Sequence, residues 1–330
     1  MPHISVIIPV YNAGNYIVDT LNSVLQQTLK DIEVIVVNDG SNDQSLAECY
    51  RLQEIDKRII IINQDNQGVS KARNVGKQNA TGDYIIFIDA DDELNCRMLE
   101  ILYTQARKTD SDISVCGVDR IFEKKQEEKK KYHCNYEEIT VDQAIEWLLL
   151  GQKIESGAWN KLFKASTIED VHFEEGKKIN EDKYFVFRSL LKSKKIVYCA
   201  EKLYYYYCRE NSVTNQFSER WFDSLYFADR IYEELKGRNN LEVFARYQLL
   251  IAYYTVLRRM YPFRNQYKKE YQLVIDKIKS TSFKSVLSYM DKKQAAVYES
   301  SSKIPLKDVK RIDMITMTYI DHFMRVTIGE

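Results

Sequence analysis

Within its first 118 residues the chain returns five times to a short run of β-branched and aromatic residues: Ile4–Pro9, Ile32–Asn38, Arg58–Asn63, Tyr84–Asp89 and Asp112–Val118. Amphipathic stretches near 14–28, 43–55, 68–79 and 94–108 separate them. Strand and helix periods alternating in this way predict βαβ units on a mostly parallel sheet. The runs are apolar along their length rather than at every second residue, so the strands are expected to be buried on both faces. In an open α/β sheet the ligand crevice lies outside the carboxyl ends of the strands. Each run closes on polar or turn residues, which directs attention to YN at 11–12, NDGS at 38–41, DNQG at 65–68 and DADD at 89–92.

A different pattern follows. EKKQEEKKK (123–131) reads as a solvated hairpin or loop. Beyond it come a helix near 140–150, the segment SGAWNKLF (156–163), a helix opening at Asn180–Asp182 and two strand-like runs at 195–200 and 202–208. From about 218 onward the period is helical. The most apolar stretch there, LLIAYYTVL (249–257), is ended by Arg258 and Arg259 well short of the ~20 residues a membrane span needs.

The 330 residues suffice for one large domain or two ordinary ones. The net charge is zero, from 48 basic and 48 acidic side chains, and 45% of residues are hydrophobic, far from the composition of a disordered chain. That neutrality is a sum of opposites: residues 1–215 carry 28 basic and 34 acidic side chains, residues 216–330 carry 20 and 14. Two domains divided near 215 are therefore expected. Six cysteines without a CxxC pair point to reduced thiols rather than a disulfide framework or a zinc site. With an N-terminal stretch that lacks a basic n-region and a cleavage site, a cytoplasmic protein is expected.

DADD directly follows the apolar run YIIFI. Asp89 and Asp91 at a strand end suit a hard divalent cation, which takes oxygen ligands and completes its shell with water and substrate phosphates; alternatively, Asp91 or Asp92 caps a helix beginning near Leu94. In NDGS, Asp39-Gly40 suits a tight turn, or Asp39 accepts a hydrogen bond from a nucleobase imide. In DNQGVSKARNVG (65–76), Gly68 permits close approach to a ligand and the helix start suits an anion, with Lys71 and Arg73 near it; a solvated helix start reads equally well.

PVYN (9–12), SVLQQT (23–28), EVIVVNDGSND (33–43), DNQGVSKARNVG, ATGDYIIFIDADD (80–92), GAWNKLF (157–163) and NED (180–182) stand in the order found in family-two glycosyltransferases, which this chain resembles over residues 3–215. The resemblance implies an inverting enzyme of GT-A fold, an α/β Rossmann-like domain with a mostly parallel central sheet, followed here by a helical C-terminal region. It implies that Pro9, Tyr11, Asp39 and Asn66 contact the nucleoside of a nucleotide-sugar donor. Arg73 would lie near the diphosphate or sugar. Asp89, Ala90 and Asp91 would form the D-x-D motif, with Asp91 as direct ligand of Mn²⁺ or Mg²⁺ and Asp89 in the ribose and metal shell. Asp182 would be the base that deprotonates the acceptor hydroxyl, and Glu181 its acceptor-positioning partner; alternatively, Asn180 followed by two acids is a capped helix start. Trp159, Asn160 and Lys161 resemble the acceptor-side segment, although Trp159 equally reads as a core aromatic holding that loop, and Arg209 and Ser212 resemble the residues that approach the diphosphate.

Departures from the pattern matter too. No histidine (3, 133, 172, 322) falls where many GT-A enzymes place a further metal ligand. QFSERW (216–221) differs by one residue from the Q-x-x-R-W of processive synthases, so transfer of a single sugar from a UDP-linked donor to a surface-glycan or lipid-linked acceptor is expected. A sugar-nucleotide pyrophosphorylase is the alternative, weakened by PVYNAGNY standing where its glycine-rich loop belongs; a non-catalytic nucleotide-sugar-binding scaffold is another. No nucleic-acid partner is indicated. The basic C-terminal third is expected to touch acidic lipid at the inner face of the cell membrane or an anionic acceptor, or else to form a homo-oligomer.

Overall fold

The computed structural model describes residues 2–122, 135–208, 217–238 and 240–280. The charge run at 123–131, Arg209 and Ser212 lie outside the described residues. The chain divides into two compact units, Met1–Asn215 and Gln216–Glu330.

The first unit is built on a nine-stranded sheet. Four parallel strands, β1 (Ile4–Val10), β2 (Ile32–Asp39), β3 (Ile59–Gln64) and β4 (Tyr84–Phe87), alternate with helices α1 (Ile17–Leu25), α2 (Ser45–Ile55) and α3 (Val69–Gln78). Then follow β5 (Glu93–Leu94), α4 (Met98–Thr109), β6 (Ile113–Ile121), β7 (Tyr136–Ile139), α5 (Val141–Leu150), β8 (Lys161–Lys164), α6 (Glu181–Lys192) and β9 (Ile196–Tyr207). The strand order is β3-β2-β1-β4-β8-β6-β9-β5, with β7 also on β9. The chain steps outward from β1 through β2 to β3 and then resumes on the other side of β1 with β4. A crevice opens where the order reverses.

One sequence detail holds that crevice open. Pairing of β1 with β4 stops at Ile7 opposite Phe87, one Ile88 N–H bond to the Ile7 carbonyl follows, and Pro9, which has no N–H to donate, comes next. On one face of the sheet Ile4, Val6, Ile8, Val34 and Val36 bury against Ile17, Leu21, Val24 and Leu102. On the other face Ile35 and Val37 pack against Ala72 of α3. A Cβ at Gly76 would collide with Ile7, so this glycine allows α3 to press against β1.

The structure departs from expectation at three places. First, β3 is an edge strand with Ile60 exposed, not a strand buried on both faces. Second, α4 begins at Met98 rather than near 94, because Glu93 and Leu94 are drawn into strand pairing with Tyr205 and Tyr204. Third, the two runs at 195–200 and 202–208 form one strand. Cys116 pairs with Cys199, but Gly117 pairs with Lys202 and Val118 with Tyr204, so β9 bulges outward. A Cβ at Gly117 would lie 2.7 Å from the Ala200 carbonyl oxygen, which accounts for the glycine there.

The second unit, as described, comprises α7 (Phe222–Leu235), α8 (Glu242–Met260) and α9 (Lys268–Ser280). The apolar LLIAYYTVL lies inside α8, and among the described residues no helix is long and apolar enough to cross a membrane.

Candidate active site

The carboxyl ends of β1 and β2 are stitched together by their own loop side chains. Asn12, at φ 50°, accepts from the Asn42 amide (2.8 Å), and its own amide donates to Ser41 Oγ (3.1 Å). The Gly14 amide donates to Asp43 Oδ2 (2.9 Å) and the Ala13 amide to Ser45 Oγ (2.7 Å). Short polar side chains satisfy loop amides here that no strand or helix reaches. Beside this frame Pro9 is buried in β1, while Tyr11 projects with 52% of its surface exposed.

Asp39 is buried at the end of β2. Oδ1 accepts from Gln64 Nε2 (2.7 Å) and the Gln67 amide (2.9 Å), and Oδ2 accepts from the Gly68 amide (2.8 Å). The carboxylate thus folds the 64–68 loop onto the crevice. Among the described residues these contacts use three of the carboxylate's about four acceptor positions. Gly40, at φ 72°, lets this loop approach: a Cβ there would lie 2.8 Å from the amide nitrogen of Asn66, whose side chain is exposed.

The four residues of DADD have separate fates. Thr20 Oγ1 donates to the Ala90 carbonyl (3.0 Å), which fixes the turn to α1. Asp92 turns inward, where Oδ2 accepts from the Tyr204 hydroxyl (2.7 Å) and Oδ1 from the Tyr207 amide (2.9 Å). Burial first, then the charge of Asp89, pushes its carboxyl up to about 8. The third aspartate is thereby explained, and neither Asp91 nor Asp92 caps a helix. Asp89 keeps 28% of its side chain exposed, and Asp91 is half-buried.

Arg73 joins these pieces. Its guanidinium is buried, with Nη2 donating to Asp89 Oδ1 (2.8 Å) and Nη1 to Glu181 Oε1 (3.4 Å). It lies over the ring of Phe173 (5.1 Å), which stacks face to face on Phe185 (3.9 Å between centroids). Nε has no partner. A solvated helix start is therefore excluded for Arg73, whereas Lys71 is a partly exposed partner of Glu175.

Sequence reasoning missed the neighbours that set this geometry. Asn74 donates to the Phe173 carbonyl (2.8 Å) and accepts from the Phe173 amide (2.9 Å). Lys77 donates to the carbonyls of Ile168, Glu169 and Val171 at 2.9, 2.9 and 2.6 Å. Lys71, Asn74 and Lys77 share one face of α3 at intervals of three, and that polar face is the signal the sequence offered.

Glu181 and Asp182 occupy the first turn of α6. Asn180 precedes them in a left-handed conformation, φ 68°, and makes no side-chain cap bond, so the simple capping role fails. Burial, and then Asp182, raises Glu181 to about 7 against the pull of Arg73. Burial likewise raises Asp182, which Arg73 and Lys161 oppose. Asp182 Oδ1 accepts from the Lys183 amide (2.6 Å).

The acceptor-side expectation is corrected for Asn160 and Lys161. Both are wholly buried. Lys161 Nζ donates to the carbonyls of Glu155 (2.8 Å) and Gly157 (2.7 Å) and to Asn160 Oδ1 (2.7 Å), while Asn160 Nδ2 donates to the Cys116 carbonyl. With three ammonium protons already used, Lys161 holds the loop rather than a ligand. Trp159 stacks on Tyr204 (4.5 Å) and Tyr206 (5.6 Å) and belongs to the core.

Asp89 and Asp91 suit a hard cation as donors: two carboxylates at an open strand end, with Asp92 turned away. Among the described residues no group of three or more His, Cys, Asp or Glu side chains surrounds a metal position, so most of a cation's shell would come from phosphate and water.

Residues 5–167 match the model of glycosyl transferase family 2. GlyG, a glycosyltransferase of Streptococcus pneumoniae, is 32% identical over 228 residues, which are 66% of this chain and 75% of GlyG. The chain belongs to glycosyl transferase family 2. GlyA of the same organism is 37% identical over 231 residues, 67% of this chain but 33% of GlyA, so the chain spans only a third of that longer relative. The Staphylococcus aureus TarS structure in complex with UDP-GlcNAc superposes with a TM-score of 0.60 at 23% identity, covering 80% of this chain and 74% of that one. The GT-A fold expected of the family is thus the observed one.

Proposed function

We propose that this family 2 glycosyltransferase moves a single sugar from a nucleoside-diphosphate donor, UDP-linked, to a hydroxyl of a surface-glycan or lipid-linked acceptor with inversion. The observation that carries the reading is the buried Arg73 guanidinium spanning Asp89 and Glu181. It links the carboxylate at the end of β4 with one at the start of α6, beside the crevice that would take a nucleoside. The UDP-GlcNAc complex of TarS supports the choice of donor.

Tyr11 offers an aromatic face to the base, Asp39 its remaining acceptor position to an imide N–H, and Asn66 a polar edge. Asp89 and Asp91 would hold Mn²⁺ or Mg²⁺, which supplies charge neutralisation for the departing diphosphate. In-line displacement requires the acceptor oxygen to lose its proton as it attacks. Asp182 takes it: burial raises its affinity for a proton above that of an ordinary carboxylate, the direction a general base needs. Glu181, held by Arg73, fixes the start of α6 and places the acceptor. A thermal-unfolding screen of nucleotide sugars with Mn²⁺ tests the reading, since a ligand of the folded state raises its stability. UDP-sugars should raise the midpoint in the presence of Mn²⁺; stabilisation by no nucleotide sugar would overturn the assignment.

A further inference from the structure

The second unit concentrates its positive charge in one place. Between residues 258 and 269, RRMYPFRNQYKK, stand five cations and no carboxylate. The other described residues of 217–280 hold seven cations and eight carboxylates, so this segment accounts for the whole basic excess of the described part. It joins the end of α8 to the start of α9 through a short 3₁₀ turn at Tyr261–Phe263. Arg259 is committed inward, over the ring of Trp221 at 4.0 Å. Arg258, Arg264, Lys268 and Lys269 are exposed.

A helix dipole explains only part of this. Arg258 in the last turn of α8 faces the negative helix end, but Lys268 and Lys269 lie in the first turn of α9, where cations are disfavoured. The positive potential is therefore reinforced rather than relieved at the turn. Beside these charges the turn displays aromatic surface. Tyr261 and Phe263 are 46% and 44% exposed next to Pro262. Arg264 stacks over Tyr261 (4.3 Å) and donates to its carbonyl (3.0 Å), and Phe217 backs Phe263 from the other side (5.7 Å). The turn is thus a supported aromatic tip ringed by cations.

We infer that the 258–269 turn is a docking surface for an anionic lipid bilayer, with Tyr261 and Phe263 entering the headgroup layer while Arg258, Arg264, Lys268 and Lys269 meet lipid phosphates. Charge complementarity favours an anionic surface. The half-exposed rings favour a bilayer over a polyanion in solution, because phosphate contacts alone require no apolar tip.

The test is flotation of the full chain with vesicles of phosphatidylcholine alone or mixed with phosphatidylglycerol, together with a competition by soluble polyphosphate. The chain should float with the mixed vesicles only, and less as salt rises. Removing one exposed cation should weaken partition about fivefold. The triple change Arg264→Gln, Lys268→Gln, Lys269→Gln should abolish flotation with unfolding temperature unchanged. Tyr261→Ser with Phe263→Ser should weaken flotation while its salt dependence persists; the charge variant alters exposed side chains alone and keeps the test decisive if the aromatic change disturbs packing on Phe217. No flotation of the parent, undiminished flotation of the charge variant, preference for polyphosphate over vesicles, or an oligomer in solution that the same changes dissolve would each overturn the inference. Nucleotide-sugar binding does not enter this measurement, so its failure leaves the catalytic reading untouched.

Discussion

Two acidic clusters, DADD after β4 and Glu181-Asp182 at the start of α6, are made of the same side chains and are treated differently by the fold. In the first, the carboxyls are separated: Asp92 goes into the core against Tyr204 and Tyr207, Asp89 to Arg73, and the cluster stays partly open. In the second, a buried Glu181 and a half-buried Asp182 share a helix start, and desolvation raises both of them. The first environment leaves Asp89 and Asp91 partly open beside a guanidinium, where in the proposed reaction they would hold a cation; the second raises the proton affinity of both its carboxyls, where one would take a proton. Environment rather than residue type assigns the roles.

The largest effect that would break this comparison is in turnover. Asp182→Asn should lower kcat by about 10²–10⁴-fold, the range of a lost general base, with donor binding retained. Asp91→Asn should instead weaken Mn²⁺-linked binding of UDP, by more than the ~10–100-fold that loss of an outer-shell partner costs. Both are read by steady-state kinetics beside calorimetric titration.

Arg73→Met comes next. It leaves Asp89 and Glu181 facing one another without their shared cation, and denaturant unfolding should show a loss of about 3–5 kcal/mol.

The β1–β4 half of the first unit was legible because continuous β-branched runs ending in turn residues suit buried parallel strands, with the edge strand β3 as the exception. The second half was less so. Glu93 and Leu94 look like a helix start until β9 is present to pair with them, and the bulge at Gly117 depends on a strand some eighty residues away. At the site, the acids themselves were readable, but their division of labour was not. That Asp92 is structural follows from Tyr204 lying opposite it, and Lys161 loses its acceptor role because three oxygens surround it in the fold. Asn74 and Phe173, which set Arg73, are 99 residues apart.

Smaller effects sharpen the contrast. The Asp92 carboxyl, at about 8, is mostly protonated at pH 7, so Asp92→Asn should cost under about 1 kcal/mol, because Tyr204 can accept where it donated. Asp92→Ala removes the carboxylate that accepts from the Tyr204 hydroxyl and the Tyr207 amide and should cost about 1–3 kcal/mol for each.

Glu181 gives the pH signature. Its folded-state value of about 7 lies above the ordinary 4.5. The unfolded chain therefore releases this proton first, and stability falls as pH rises from about 4.5 to about 7, then levels. Glu181→Gln should remove that decline, visible as a smaller difference in unfolding temperature between pH 5 and pH 8.

The most direct test of the division of labour is a calorimetric titration of UDP with Mn²⁺ into Asp91→Asn and Asp182→Asn, set beside the turnover of each. Asp182→Asn is expected to bind as the parent does and to turn over poorly, while Asp91→Asn loses the metal-linked binding. Undiminished turnover in Asp182→Asn, or parent-like Mn²⁺-dependent binding in Asp91→Asn, would contradict it.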